Sequence, residues 1–174
     1  MSMVPQLVSS EKTDWRTPED VRWVVRRAFD LLRLNDALVE RVDLDPCANR
    51  DPANHFATLN YTDDGLNTMW LKRTFMNPPY GRGIDKWIEK AICETALGRA
   101  HVIGLVPANT GTRWGQLCLN TAKAVCFWKG RITFDGGDGD PAPFNSMLPF
   151  WTSDRRRVLR FAEVMGEHGK VVVL

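Results

Sequence analysis

Apolar residues along the chain follow two rhythms. Val21, Val24, Val25, Ala28, Phe29 and Leu32 recur every three or four positions, the spacing of one helix face, and predict a helix reaching about Leu34. Thr17 stands at its start as a cap, Pro18 suits the first helical position, and Asp20 sits where a capping-box partner belongs. Ile84, Trp87, Ile88, Ala91, Ile92 and Thr95 mark a second helix over Gly83–Leu97, ended by Gly98. Thr112–Leu119 and Asp154–Met165 predict two more, the last stopped at Gly166. Strand-length apolar runs lie between them: Val42–Pro46, Thr74–Met76, His101–Val106, Ala124–Phe127 and Lys170–Leu174. Asn49–Tyr61 reads as a loop with a helical turn. Arg131–Phe134 and Asn145–Trp151 predict two hairpin arms around a flexible Gly- and Asp-rich loop at Asp135–Pro143.

Alternating strands and helices require crossover connections. The expected fold is therefore α/β: a mostly parallel sheet, helices on both faces, and an antiparallel hairpin near the C-terminus. One domain is expected over residues 15–174, after a flexible tail at 1–14. A length of 174 residues suits a single core, and 44% hydrophobic with 25% charged residues excludes disordered and collagen-like chains. The formal charge of +2 permits a nucleic-acid partner without arguing for one. No basic-then-apolar signal pattern opens the chain, and no run approaches the ~18 apolar residues of a membrane span. Cys47, Cys93, Cys118 and Cys126 form no C-x-x-C pair, and His55, His101 and His168 stand apart. The sequence thus predicts no metal, and free, mostly buried thiols of a reducing compartment. Arg22, Arg26 and Arg33, and the Arg155-Arg156-Arg157 run with Arg160, read as solvated helix faces.

The sharpest chemical signal is Asn77-Pro78-Pro79-Tyr80, directly after a hydrophobic strand. Ligands of open α/β sheets bind beyond the carboxyl ends of strands. Two prolines remove backbone donors and stiffen the chain. The Asn77 side-chain oxygen and the Pro78 carbonyl can then converge as acceptors on one exocyclic amine. Such an amine, adenine N6 for example, is a poor nucleophile because its lone pair is delocalised into the ring. Two acceptors favour the pyramidal geometry it needs for attack. Tyr80 offers a ring face for stacking; its hydroxyl is given no role. Catalysis would rest on positioning and electrostatics, since a neutral amide is no strong base.

Asn-Pro-Pro-Tyr after a strand resembles the catalytic motif of S-adenosylmethionine-dependent amino-methyltransferases. Further features occur in order: Trp15-x-Thr17-Pro18, Leu44-Asp45-Pro46-Cys47-Ala48, Asp64-Gly65-Leu66 with Trp70, Phe75 to Gly81, and Gly130-Arg131-Ile132-x-Phe134. Together they resemble the phage and prophage DNA N6-adenine methyltransferases, the Dam-type phage enzymes, over roughly Trp15–Trp151. The resemblance implies a Rossmann-like domain that binds S-adenosylmethionine and acts on DNA in the cytoplasm of a bacterial host. It implies Asn77, Pro78, Pro79 and Tyr80 as catalytic residues. Thr17 and Pro18 would lie near the methionine end of the cofactor, with Cys47 and Ala48 in the cofactor-side turn. Asp45 would hold the ribose, and Asp64 would accept from the cofactor's adenine amine.

The chain departs from the wider pattern in one respect. No G-x-G precedes Asn77. Either Asp45-Pro46-Cys47-Ala48 replaces that glycine-rich loop, or it corresponds to the next acidic motif and the first strand is missing. A target base inside a duplex must be flipped out to react, so phosphate contacts are needed. Arg113 and Trp114, after a strand end, and Arg131, at the hairpin start, are the candidates. Asp135, Asp138 and Asp140 disfavour phosphate. No insertion is long enough for a separate target-recognition domain. The competing readings are methylation of another planar amine, such as adenine in RNA, and a cofactor-poor relative that binds nucleic acid without chemistry.

Overall fold

The computed structural model describes residues 16–29, 32–34, 37–39, 41–136 and 139–174. The predicted tail and Asp138 lie outside them. The elements run α1 (Glu19–Ala28), β1 (Leu32–Leu34), β2 (Ala37–Val39), β3 (Leu44–Asp45), a 3-10 turn (Pro52–Asn54), β4 (Leu59–Asn60) and β5 (Arg73–Met76). They continue α2 (Ile84–Ala96), β6 (His101–Gly104), β7 (Val106–Pro107), α3 (Arg113–Thr121), β8 (Ala124–Trp128), β9 (Ser146–Trp151), α4 (Arg155–Met165) and β10 (Gly169–Val173). An eight-stranded sheet has the order β10-β8-β9-β6-β5-β3-β4, with β7 extending β6 along β9. The pairs β3–β4, β3–β5 and β5–β6 are parallel. β9 runs against β6, β7 and β8, and β10 runs against β8. Six of these eight strands therefore point one way, and the antiparallel partners gather at the C-terminal side.

Side chains alternate across a pleated strand, and here the alternation feeds two apolar layers. On one face, Val21, Val25, Phe161 and Val164 of α1 and α4 pack on Phe75, Ile103, Cys126, Leu148 and Phe150. On the other, Ile84, Ile88, Ala91 and Cys118 of α2 and α3 pack on Met76, Val102, Val125, Met147 and Trp151. β9 is buried along its whole length. Strands covered on both faces read as continuous apolar runs, as this one does.

Several expectations need correction. The first helix ends at Ala28, not Leu34, and its C-cap, Phe29, is extended. Residues 32–34 instead pair antiparallel with 37–39. Leu32 lies in β1 and continues the helical stripe only by coincidence of spacing. Pro18, not Thr17, is the N-cap residue, and no side chain caps that end. The C-terminal hairpin exists, but its first arm is β8. Residues 131–134 form no strand, because β9 is already paired on one side with β6 and β7 and on the other with β8. Ile132 and Phe134 still bury their side chains, while Ile132 O accepts from Ala142 N at 2.9 Å and Asp135 bridges to Arg16. The 49–61 segment holds the expected turn and also β4, too short to show any periodicity. Of the four cysteines, Cys118 and Cys126 are buried, Cys47 is half-buried and Cys93 is exposed. Among the described residues, no helix is long and apolar enough to cross a membrane.

Candidate active site

The parallel strands β3, β4 and β5 end at one edge of the sheet, and a cleft of about 660 Å³ opens there. That volume lies within the range of small-molecule and cofactor pockets. Its floor is the turn after β3, Asp45 to Ala48. Its walls are Tyr61 to Gly65 after β4, Asn77 to Pro79 after β5, Arg16 and Thr17 before α1, and Trp87 on α2. Thr17, Asp45, Cys47, Ala48, Asp64, Asn77, Pro78 and Pro79 meet in its lining, which includes neither Pro18 nor Tyr80. Pro18 caps α1 next to them.

The turn at the floor is self-supporting. Asp45 is buried and its carboxylate accepts from Cys47 N at 2.9 Å. Its flanking backbone is tied to β4: Tyr61 N donates to Asp45 O at 2.9 Å, and Ala48 N to Tyr61 O at 3.0 Å. Burial pushes the Asp45 carboxyl up to about 7, against the pull of the Cys47 N–H and of His55. Burial also pushes the Cys47 thiol well up, and the Asp45 charge adds to it, while the Asn77 N–H opposes. Gly65 presses on this turn from above: a Cβ there would stand 1.9 Å from the Pro46 carbonyl oxygen. Only glycine permits that approach. Asp64, just before it, holds a left-handed φ of 57°, a strained state for a residue with a side chain.

Asn77 leaves β5 into the two prolines, and Gly81 and Gly83, at φ of 124° and 96°, turn the chain into α2. The Asn77 amide is held at both ends. Its Nδ2 donates to Thr17 Oγ1 at 3.2 Å, and its Oδ1 accepts from the Tyr80 hydroxyl at 2.9 Å. The Tyr80 ring meets Phe144 edge-on at 5.3 Å and Phe134 at 6.2 Å. The hydroxyl given no role from sequence is therefore bonded to the residue expected to accept from the target amine.

The cleft also contains groups that sequence reasoning passed over. Arg16 occupies the variable position of the Trp-x-Thr-Pro segment and donates to Asn54 Oδ1 at 3.3 Å. Asp63 adjoins Asp64 and pairs with Arg50 at 2.8 Å; the Arg50 hydrogen bond and charge hold its carboxyl below the usual range. Trp87 belongs to the apolar stripe of α2, which hid its cleft-facing edge. A spacing rule could have found Asp63. An acidic residue about 20 positions beyond the first strand's turn commonly meets a ribose, and it lies 18 past Asp45.

The nucleic-acid candidates lie outside the cleft. Arg113 opens α3, is largely exposed and faces Glu89 at 3.6 Å. Trp114 is half-buried against the α2–α3 core, so little of its ring is presented. Arg131 is exposed beyond the carboxyl end of β8, on the same sheet edge as Asn77. Arg155–Arg157 follow β9, which runs the other way, and so stand at the opposite edge. Asp135 pairs with Arg22 at 3.4 Å.

Comparison with known proteins adds the following. The family described as DNA N-6-adenine-methyltransferase (Dam) matches residues 5–146. The DNA N-6-adenine-methyltransferase of Haemophilus phage HP1 (strain HP1c1) is 26% identical over 119 residues, 68% of this chain. The chain spans 63% of that relative's length. No solved structure matches.

Proposed function

Since the chain belongs to the DNA N-6-adenine-methyltransferase (Dam) family by its match over residues 5–146, we propose that it methylates the N6 amine of an adenine flipped out of DNA, with S-adenosylmethionine as donor. The observation that carries this reading is the convergence of Asn77-Pro78-Pro79 with the carboxylates of Asp45 and Asp64 on one cleft at the carboxyl edge of the sheet. The fold reading is a Rossmann-like methyltransferase domain. β3 hydrogen-bonds directly to β5, which favours the Asp45–Ala48 turn as the replacement for the glycine-rich loop over loss of a strand.

The cleft's donors and acceptors suit the cofactor. Asp45 and Asp64 offer acceptors to hydroxyl or amine groups, Trp87 and Tyr61 offer ring faces, and Thr17 closes the side nearest Asn77, with Pro18 behind it at the start of α1 rather than in the lining. Bound S-adenosylmethionine supplies an electrophilic methyl group on a sulfonium. Everything else falls to the chain. Asn77 Oδ1 and the Pro78 carbonyl accept from the target amine and grip it most strongly as it pyramidalises, so their effect falls on the transition state. Tyr80 stacks on the extruded base. Arg113 and Trp114, at the start of α3, and Arg131, on the loop after β8, would hold the opened strand in place of a separate recognition domain. The proposed DNA substrate supports activity in the host cytoplasm.

The deciding experiment is transfer of tritiated methyl from S-adenosylmethionine to unmethylated DNA by purified protein, followed by nucleoside analysis. Label is expected in N6-methyladenosine's deoxy form alone. Label in another base, or none from protein that binds the donor, would overturn the reading.

A further inference from the structure

An asparagine amide has two ends of nearly equal size and opposite character, an acceptor oxygen and a donor NH₂. Turned by 180°, it would offer N–H groups where the oxygen stood. That exchange matters little in most places. It matters greatly where the amide must accept from an exocyclic amine, because the flipped amide would repel the amine and favour a keto oxygen instead. Something must decide which end faces the reacting group.

We infer that Thr17 and the Tyr80 hydroxyl act together as an orientation clamp on Asn77, fixing it as an acceptor and so selecting a base that carries an amine. This rests on the methyl-transfer reading above and adds two positioning roles to it. The two contacts have unlike origins. Tyr80 lies three residues on, across the rigid Pro78-Pro79 pair, whereas Thr17 comes from the segment entering α1, sixty residues earlier. They grip opposite ends of the same amide at 2.9 and 3.2 Å.

The clamp has a preferred sense. The Tyr80 hydroxyl has one proton, and two carbonyl oxygens compete for it: Asn77 Oδ1 at 2.9 Å and Leu105 O at 3.4 Å. The shorter contact is the stronger hydrogen bond. Flipping the amide would reverse that bond, with Nδ2 donating to the Tyr80 oxygen, and would leave the hydroxyl proton only the long contact to Leu105 O. Burial pushes the Tyr80 hydroxyl above its ordinary range, so it keeps its proton and remains a donor. The ring cannot easily swing away, because Phe134 and Phe144 both meet it edge-on. The hydroxyl is thus held by the fold in the donating position, and an amide oxygen carries two acceptor sites, so the Tyr80 bond does not by itself exhaust it.

A carboxylate supplies the test, because its two ends are the same and need no orienting. Single-turnover methyl transfer would be measured at saturating S-adenosylmethionine on wild type, Y80F, N77D and the double variant. Y80F is expected to slow transfer by about tenfold, with the donor's affinity unchanged. In the N77D background the same substitution should cost no more than a third of that factor. T17V should slow transfer several-fold and T17S should restore it. A second readout needs no turnover: at the site the wild type methylates, adenine is replaced by hypoxanthine, which bears a keto oxygen. The wild-type binding preference for adenine should shrink at least threefold in Y80F. Equal Y80F penalties in the two backgrounds, or an unchanged adenine preference, would overturn the clamp. Failure of the wild type to methylate DNA would instead remove the functional reading beneath it.

Discussion

Asp43 and Asp45 stand two residues apart on either side of Leu44, both buried, and their surroundings treat them oppositely. Burial raises Asp43, but two hydrogen bonds from Arg73, at 2.8 and 2.9 Å, and the charges of Arg73 and Arg41 outweigh it and hold its carboxyl low. Asp45 accepts from the Cys47 N–H, and burial outweighs that bond and the charge of His55 and carries it to about 7. Asp43 lies at the edge where the parallel strands begin and Asp45 at the edge where they end. The first edge spends its polar groups on one another. The second leaves a carboxylate, a clamped amide and a strained Asp64 facing a cleft. Asp45, Asp64 and Asn77 line the cleft at this second edge, where a ligand can reach them.

The largest effect should come from the exit edge. N77A is expected to reduce turnover at least ~10³-fold, by analogy with loss of a transition-state hydrogen-bond partner, while the melting temperature and donor affinity stay near wild type. Calorimetry and single-turnover rates would check both halves. Retention of most of the turnover would make the Asn-Pro-Pro-Tyr turn a structural device and undo the contrast between the edges.

At the entry edge the loss should fall on stability. D43A strands the buried Arg73 guanidinium, which costs roughly 3–5 kcal/mol when one partner of a buried pair is removed. Denaturant unfolding would show it, and the donor affinity of the folded fraction should be unaltered. A shift below about 1 kcal/mol would mean that the pair is solvated.

D45N tests the same contrast with opposite sign. The folded-state value of about 7 exceeds the ordinary 3.8. Between these values the folded chain holds more protons than the unfolded one. The stabilising contribution is therefore complete below about pH 4 and is lost as pH rises through 7. Asn removes the charge, so at pH 8 the unliganded variant should be more stable than wild type, by up to roughly 4 kcal/mol. Its affinity for S-adenosylmethionine should fall by about 10–100-fold, the worth of a charged hydrogen bond. Wild-type donor affinity should itself rise between pH 6 and 8 as Asp45 ionises. A flat profile would show that Asp45 does not meet the donor. Asp43 behaves in reverse: its contribution is present above its unfolded value and lost as pH falls.

These contrasts were unequally visible in the chain. The α2 helix was legible almost to the residue, 84–96 against an expected 83–97, because its apolar stripe is bounded by two glycines. The turn after β5 was legible because Asn77, the two prolines and Tyr80 are consecutive and follow an apolar run directly. β3 and β4 have two residues each, too few for any period, and are held by parallel neighbours distant in sequence. The end of α1 was hidden by Leu32, which continues the helical spacing inside a strand. Trp87 has two environments, core and cleft, and periodicity reports only the first. The role of the Tyr80 hydroxyl depends on Asn77 being gripped from Thr17, and no local pattern carries a contact sixty residues long.

The smallest expected effect concerns the rim. Arg131 and Lys123 are both exposed and flank the same strand, β8, but at opposite ends. Arg131 shares the exit edge with Asn77; Lys123 stands at the entry edge. If the opened strand lies across the exit edge, only Arg131 meets phosphate. R131A should then weaken DNA binding and reduce the slope of log affinity against log salt by about one contact. K123A should leave that slope as it is, and neither should alter donor affinity. Arg113 is an intermediate case, since Glu89 at 3.6 Å already offsets part of its charge. Its loss should change the slope by less than the loss of Arg131. Titrations at several salt concentrations with one DNA would rank the three. Equal slopes for R131A and K123A would place the DNA path elsewhere, and would confine the distinction between the two edges to the cleft itself.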